Sequence, residues 1–430
     1  MSTPVGLAAG APAGQDHAHE HAHPAQEGHV VLVVNAGSSS IKCSVYRVVD
    51  DPHADGGSRA IFGAGGQIES IGLTPRVVAH MADGRLIVDE TFPVAQVSDH
   101  DAAFRLLRLV LAVGLRDTPP AAIGHRVVHG GAQHADAVLI DDAVIDELDK
   151  LTPLAPLHQP HNLAAIRAVR DAAPELVQVA CFDTAFHAHN GVLSQLFGLP
   201  YSYFEKGIRR YGFHGLSYEY IARRLHTVAP EIARGRVIVA HLGNGASLCA
   251  MRDGKSVETT MGLTALDGLP MGTRCGALDA GAVLWMMESG MDHDEIETLL
   301  YQQSGLKGLS GVSSDMRELL PSDSDRAKLA VEYYTYRIAQ DIGKLAVTLG
   351  GVDGIVFTAG IGENSAPVRA GVCARLGSLF GVEVDDDANR ANEPRISASG
   401  SRVPVFAIPT DEEGMIALHT ARILRESHKV

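Results

Sequence analysis

Residues 30–42 read VVLVVNAGSSSIK, and the rest of the chain is organised around them. Five apolar residues, Val30 to Val34, predict a short buried strand closed by turn residues. Asn35, Gly37, Ser38, Ser39 and Ser40 follow. Ile41, Cys43 and Val45 then alternate with Lys42, Ser44 and Tyr46, which predicts a second strand. A tight turn of small residues lets backbone N–H groups and hydroxyls converge on an anion, and Lys42 can reach back with a positive charge. Phosphate suits such a turn; an ordinary hairpin with a polar turn is the plainer alternative. No GxxxxGK[ST] occurs, so this is not a Walker-type phosphate loop.

The theme returns twice. RVIVAHLGNGASLCAM (236–251) is again strand, Asn/Gly/Ser turn, strand, and Asn35 and Asn244 occupy comparable places in units half a chain apart, a sign of internal duplication. VDGIVFTAGIGENS (352–365) has the strand and glycine turn but leads into a helix.

The 430 residues suggest two or three domains, and 46% apolar with 20% charged residues is a soluble globular composition. A formal charge of −15 argues against nucleic-acid or anionic-membrane partners while allowing a locally basic pocket. Five scattered cysteines without a CxxC read as reduced thiols. No run of 18 apolar residues predicts a membrane span, and the start lacks a secretory signal pattern, so a cytoplasmic location is expected. Residues 1–28, with HAHEHAHP at 17–24, read as a disordered tail.

Along the chain, Ser98 is the expected N-cap of a helix with Asp101 as its acidic third position and Phe104, Leu107 and Leu111 on its apolar face. AAIGHRVVHGG (121–131) is a strand carrying Arg126, costly there unless it meets an anion. TPLAPLHQPHN (152–162) opens a helix, VQVACFDTAFH (177–187) is a buried strand with Asp183 past its end, and GIRRYGFHGLSYEY (207–220) runs from loop to helix. TALDGLPMGTRCGALDAG (264–281) and SGLKGLSGVSSDMRE (304–318) read as loops, 325–349 as a long helix, and RVPVFAIPTDEEG (402–414) as a strand whose acidic turn opens a C-terminal helix to about Ser427. Strands alternating with helices predict α/β architecture. There is no Rossmann fingerprint and no HExxH. Three Gly/Asn/Ser strand ends with acidic turns suit a nucleotide and its metal, with Asp183 and Glu412 as candidates to hold magnesium through water. Arg126 and Arg274, if convergent, would bind a carboxylate and cradle a phosphoryl group.

The blocks VNAGSSSIK, GHRVVHGG, APLH, FDTAFH, RRYGFHG, HLGNGAS, GLPMGTRCG, SGLKGLSGVSSDMRE, FTAGIGENS and IPTDEE together resemble, in order, the acetate kinase family over roughly residues 29–426. The resemblance implies a duplicated actin-like (ribonuclease H-like) α/β fold. Its halves, 29–184 and 185–412, would hinge over an ATP cleft, with the helix near 413–430 returning to the first. It further implies ATP and ADP as co-substrates, Mg2+ (or Mn2+), acetate and acetyl phosphate, and a homodimer. Position by position, Asn35 and Glu412 match magnesium-site residues; Ser38, Ser40 and Lys42 match the phosphate loop. Arg126 matches the carboxylate binder, Asp183 the active-site aspartate, and His214 and Arg274 the transition-state stabilisers. His241, Leu242, Gly243, Asn244 and Gly245 match nucleotide-binding segments, as do Asp315, Met316 and Arg317, and Gly360, Ile361, Gly362, Glu363 and Asn364. Val128, Leu157, His158 and Phe213 fall in the acyl region.

The sequence departs from the family pattern at Leu216 and Tyr218, where Thr and His are usual, and at Ala277 and Ala280. Ala265 stands where a proline usually lines the acyl pocket. A missing ring would admit propionate, with a graded preference because one methylene is worth about 1–3 kcal/mol. The expected activity is reversible, in-line phosphoryl transfer from ATP to acetate. A propionate-preferring kinase and a catalytically silent nucleotide-binding module are the alternatives.

Overall fold

The computed structural model describes residues 28–37, 40–99, 102–107, 110 and 118–427. The expectations on the N-terminal tail, Ser38, Asp101 and Leu111 lie outside them.

Strand β1 (Gly28–Ala36) turns into β2 (Ile41–Asp50), as the opening stretch predicts. Its side chains alternate between two cores. Val30, Leu32 and Val34 pack with Phe104, Leu107, Ala165 and Val169. Val31 and Val33 pack with Val179, Met415, Ile416 and Ala421. The strand is apolar throughout because both faces are covered.

The sheet continues through β3 (Ser58–Glu69), β4 (Arg76–Met81), β5 (Leu86–Thr91), β6 (Ala122–Val127), β7 (Val138–Leu139) and β8 (Val177–Phe182), in the order β5-β4-β3-β2-β1-β6-β8-β7. β6 runs parallel to β1, and β8 parallel to β6. A second sheet holds β9 (Arg236–Leu242), β10 (Ala246–Arg252), β11 (Lys255–Thr259), β12 (Gly354–Thr358) and β13 (Val405–Ala407), in the order β11-β10-β9-β12-β13. Its β9–β10–β11 pairings are antiparallel and its β9–β12–β13 pairings parallel. Thus β3-β2-β1-β6-β8 and β11-β10-β9-β12-β13 share one order and one set of directions.

Burial repeats too. Val237 and Val239 face Tyr218, Ile221 and Leu225 of the helix Gly215–Val228. Ile238, Ala240 and Leu242 face Tyr334, Ile338 and Ile342 of the helix Asp325–Leu349.

The duplication corrects one sequence equivalence. Asn35 precedes the last residue of β1 and pairs with Lys42; the residue so placed in β9 is His241, paired with Ser247. Asn244 lies in the turn beyond. Two further corrections are local. Asp99, not Ser98, caps the helix that follows, its Oδ1 accepting from the Ala102 N–H at 2.9 Å. The 304–318 segment holds two short helices, Gly305–Ser310 and Met316–Leu319.

The helix Glu412–Ser427 leaves the second sheet and covers the first. It comes close because β6 carries Gly124: a Cβ there would lie 2.3 Å from Thr420 Oγ1 and 2.5 Å from Ile416 Cγ2. Tyr46 donates to Asp411 Oδ1 at 2.8 Å and Ser44 to Glu413 Oε2 at 2.5 Å, seating the acidic turn on β2. No helix among the described residues is long and apolar enough to cross a membrane.

Candidate active site

Arg126 is carried at the end of β6, beside the C-terminal end of β1, and Asp183 follows β8 directly. Parallel strands therefore deliver both to one sheet edge. Arg126 Nε and Nη2 donate to the two Asp183 oxygens at 3.0 and 2.6 Å, and Nη1 donates to Asn35 Oδ1 at 3.3 Å. Asp183 is 1% exposed and Arg126 24%. Burial pushes the Asp183 carboxyl up and Arg126 opposes it. Burial alone would lower the guanidinium, but the charge and hydrogen bonds of Asp183 outweigh it, so Arg126 stays charged.

His214 is the N-cap of the helix Gly215–Val228, in a left-handed conformation (φ 59°) that a non-glycine residue holds only under tight constraint. Gly215 N–H donates to the Asp183 carbonyl at 2.8 Å, tying this turn to the first sheet. His214 Nδ1 meets Ser247 Oγ at 2.8 Å, and its ring stacks on His241 at 4.1 Å. His241 Nδ1 meets Ser217 Oγ at 2.8 Å and lies 3.8 Å from Glu412 Oε1. Burial, then His241, Arg126 and Arg274, drive His214 well below the ordinary histidine value. Burial and Arg126 push His241 to about 4.

Arg274 Nη1 donates to the Ala265 carbonyl at 3.0 Å. The guanidinium is lowered by burial and by Arg126. Both arginines also act on His158, lowered to about 4 chiefly by burial. The two guanidinium groups thus share one neighbourhood. Gly245 floors it: a Cβ there would lie 3.1 Å from His214 Nε2 and 3.8 Å from Arg274 Nη1.

Two cavities belong with this cluster. A small apolar one of about 10 Å³, room for about one water, is lined by Val128, Leu157, His158, Phe213, Ala265 and Tyr301. A larger one of about 640 Å³ is lined by Gly243 and Asn244 from the β9–β10 turn, by Asp315, Met316 and Arg317, and by Gly360, Ile361 and Asn364. Asp315 caps the helix Met316–Leu319 and is held low by its hydrogen bonds with Arg317.

Other matched positions lie differently. Leu242 is buried in the core of the second sheet. Gly362 lies on the buried face of the helix Ala359–Asn364, with the Phe357 backbone and the Ala240 carbonyl 3.4–3.5 Å from its Cβ position. Glu363 Oε1 accepts from Ala359 N–H at 2.8 Å and Thr410 N–H at 3.0 Å, holding Ala359 at φ 62°. Ser40 closes the turn, its carbonyl accepting from Gly37 N–H at 2.8 Å. Lys42 lines a separate recess of about 260 Å³ with Gln67, His80 and Glu413, though its charge reaches Glu412.

Sequence reasoning missed three residues. Asn162 is buried and stitches the two strand ends: its Oδ1 accepts from Val128 N–H at 3.0 Å and its Nδ2 donates to the Ala36 carbonyl at 2.7 Å. Tyr301 closes the small cavity. Ser365 lines the large one with a buried Oγ that has no partner; it ends the GIGENS run, a signal already in the sequence.

Asn35, Asp183 and Glu412 are the oxygen donors suited to magnesium, which usually takes one or two carboxylates and keeps waters and phosphate oxygens. Among the described residues no three His, Cys, Asp or Glu form a metal-ligating group. One amide carbonyl and two carboxylates, with no cysteine or histidine among them, suit that ion rather than zinc. A further cavity of about 340 Å³ shares no lining residue with the cavities above; about it His419 pairs with Glu219 at 2.8 Å and Arg422 with Asp136 at 2.5 Å.

Two sheets of one topology, with arginines and a neutral histidine gathered beside a nucleotide-sized cavity, define a duplicated actin-like phosphotransferase. The chain belongs to the acetokinase family, whose model matches residues 30–418. It is 51% identical to the acetate kinase of Nitrobacter hamburgensis over 395 residues, 92% of this chain and 96% of that one. It is 42% identical to the acetate kinase of Clostridium botulinum over 407 residues, 91% and 99% of the two chains. Among solved structures it is similar to a propionate kinase from Francisella tularensis, with a TM-score of 0.82 at 34% identity, and to Porphyromonas gingivalis acetate kinase, with 0.78 at 36%; each covers 92% of this chain and 100% of its own.

Proposed function

We propose that the chain is an acetate kinase, moving the γ-phosphoryl group of ATP to acetate to give acetyl phosphate and ADP, reversibly and in line. The observation that carries this reading is that Arg126 and Arg274 act together on His214 and on His158, which lines the small apolar cavity, while Gly245 beside His214 and Arg274 follows directly on Gly243 and Asn244 of the larger one. Relatives named acetate kinase at about half identity support it.

Acetate is already ionised at neutral pH, so no base has to take its proton. The obstacle is the approach of one anion to another. Arg126 binds the acid's carboxylate, with Asp183 fixing its fork and balancing its charge. Val128, Leu157 and Phe213 hold the methyl group beside His158. Arg274 and neutral His214 donate to the phosphoryl oxygens as charge crowds there. The nucleotide lies along Gly243–Gly245, Asp315–Arg317 and Gly360–Asn364, with Ser38, Ser40 and Lys42 at the phosphates. Asn35 and Glu412 would hold Mg2+ through water, and the ion supplies charge neutralisation on the phosphates when bound.

The domains divide near residue 184. The chain works as a homodimer in the cytoplasm: the helix Ala280–Glu288 buries none of its residues and leaves Leu284, Trp285 and Met287 about 60% exposed or more, and all five cysteines are free.

A propionate-preferring kinase is favoured by one observation, Ala265 in the wall of the small cavity. The test is hydroxylamine trapping with ATP, Mg2+ and acetate, propionate or butyrate. Acetyl hydroxamate with the highest kcat/KM for acetate is expected; a higher value for propionate selects the alternative. No hydroxamate from any short acid would leave a silent nucleotide-binding module.

A further inference from the structure

We propose that Tyr218 and Ser247 form a directed hydroxyl chain that holds His214 as its Nε2–H tautomer, which makes Tyr218 a positioning residue for phosphoryl transfer. The proposal rests on the reading above that His214 faces the transferring group.

The helix Gly215–Val228 places Tyr218 one turn beyond its N-cap, so Tyr218 and His214 approach β10 together. Tyr218 and Ser247 have no exposed surface. Tyr218 Oη lies 2.5 Å from Ser247 Oγ, and Ser247 Oγ lies 2.8 Å from His214 Nδ1. Protons can be counted along this line. The phenol holds one proton, and burial keeps it on the oxygen. A buried O–H without an acceptor is costly, and Ser247 Oγ is the acceptor at hand. Ser247 has one proton of its own, which then goes to Nδ1. Nδ1 therefore accepts, and the ring proton sits on Nε2.

The opposite direction fails at both ends. Tyr218 would keep an unmatched buried O–H, and His214 would present a lone pair where Nε2 now lies. That atom faces the space over Gly245 shared with Arg274 Nη1. With Nε2–H, both side chains present donors to this space and neither an acceptor, which is what a phosphoryl oxygen requires. The His241 ring, stacked at 4.1 Å and 15° with its own Nδ1 at Ser217, hinders rotation of the His214 ring.

The test uses the full-length enzyme labelled with 15N-histidine. The His214 ring signals, identified by their loss in His214→Gln, are expected to report Nε2–H at pH 7. In Tyr218→Phe, which removes one oxygen and keeps the ring, the same signals should report mixed tautomers. That variant should lose about tenfold in kcat while KM for ATP and for acetate stays unchanged. An Nδ1–H tautomer in the wild type overturns the proposal whether or not any variant folds. So does a Tyr218→Phe enzyme with unchanged tautomer, with or without a fall in kcat. Failure of the wild type to make acyl phosphate would strike the functional reading alone and leave the tautomer measurement standing.

Discussion

At the residue scale, Asp183 is a buried carboxylate with a single charged partner among the described residues. Both its oxygens are occupied by Arg126, so it balances and orients. Asp183→Asn keeps the shape and removes the charge. It should lower kcat by roughly a hundredfold or more, with the pH–rate profile lowered in height and unchanged in shape. Loss of one ionising limb would instead make Asp183 a base. Ser365 offers a milder case. Its unpartnered Oγ in the large cavity is suited to one hydrogen bond, worth about 1 kcal/mol. Ser365→Ala should therefore raise KM for ATP about fivefold and leave KM for acetate alone; equal changes in both would contradict this placement.

At the scale of elements, the helix Glu412–Ser427 and β6 touch where β6 has no side chain. Gly124→Ala puts a methyl within 2.5 Å of Thr420 Oγ1 and Ile416 Cγ2. The helix must lift, at a cost of about 1–3 kcal/mol, and it carries Glu412 with it. Urea unfolding and KM for Mg2+ would both register the shift; an unchanged midpoint would show that the helix yields freely. Elements with strong local patterns were legible in the sequence. Val30–Val34 and Val237–Ala240 are continuous apolar runs because helices cover both faces, and 325–349 has a clear helical period. The glycine-bearing strand β3 (SRAIFGAGGQIE) was missed, since alternation is broken by glycines at 63, 65 and 66. In the site, Arg126 and Asp183 were legible because charged residues at apolar strand ends stand out; His214, in a loop that becomes a helix N-cap, was picked out only by the family resemblance. Asn162 and Tyr301 were not, because their roles come from chain segments brought together only by folding. Gly362 and Glu363 sit in a nucleotide motif yet support the backbone, a distinction that spacing cannot make.

At the scale of the whole molecule, buried histidines set the acid limit. Burial lowers His125, His129 and His187 to about 4. Unfolded histidines titrate near 6.5, so the unfolded chain takes up protons first as pH falls. The stability these groups contribute is full above about 6.5 and lost towards 4, by up to about 1.4 kcal/mol per pH unit for each. Thermal unfolding at pH 7.5 and 5 should show a clear drop at the lower pH, and a flat profile would refute the assignment. The proposed dimer has its own test. Trp285, 66% exposed on an apolar helix, becomes charged in Trp285→Glu. Sedimentation should show the wild type at twice the monomer mass and the variant shifted towards monomer; two identical profiles would place the interface elsewhere.

The path of the chain also orders events during synthesis on the ribosome. Val31, Val33, Val179 and Cys181 emerge early, but the face they form is covered by Met415, Ile416, Ala417 and Ala421. While more than two hundred residues are still being translated, that half carries an oily flank with nothing to lay against it. The half made first must wait for a helix made after residue 411, and nascent chains stalled short of it are the ones that chaperones would be needed to shield.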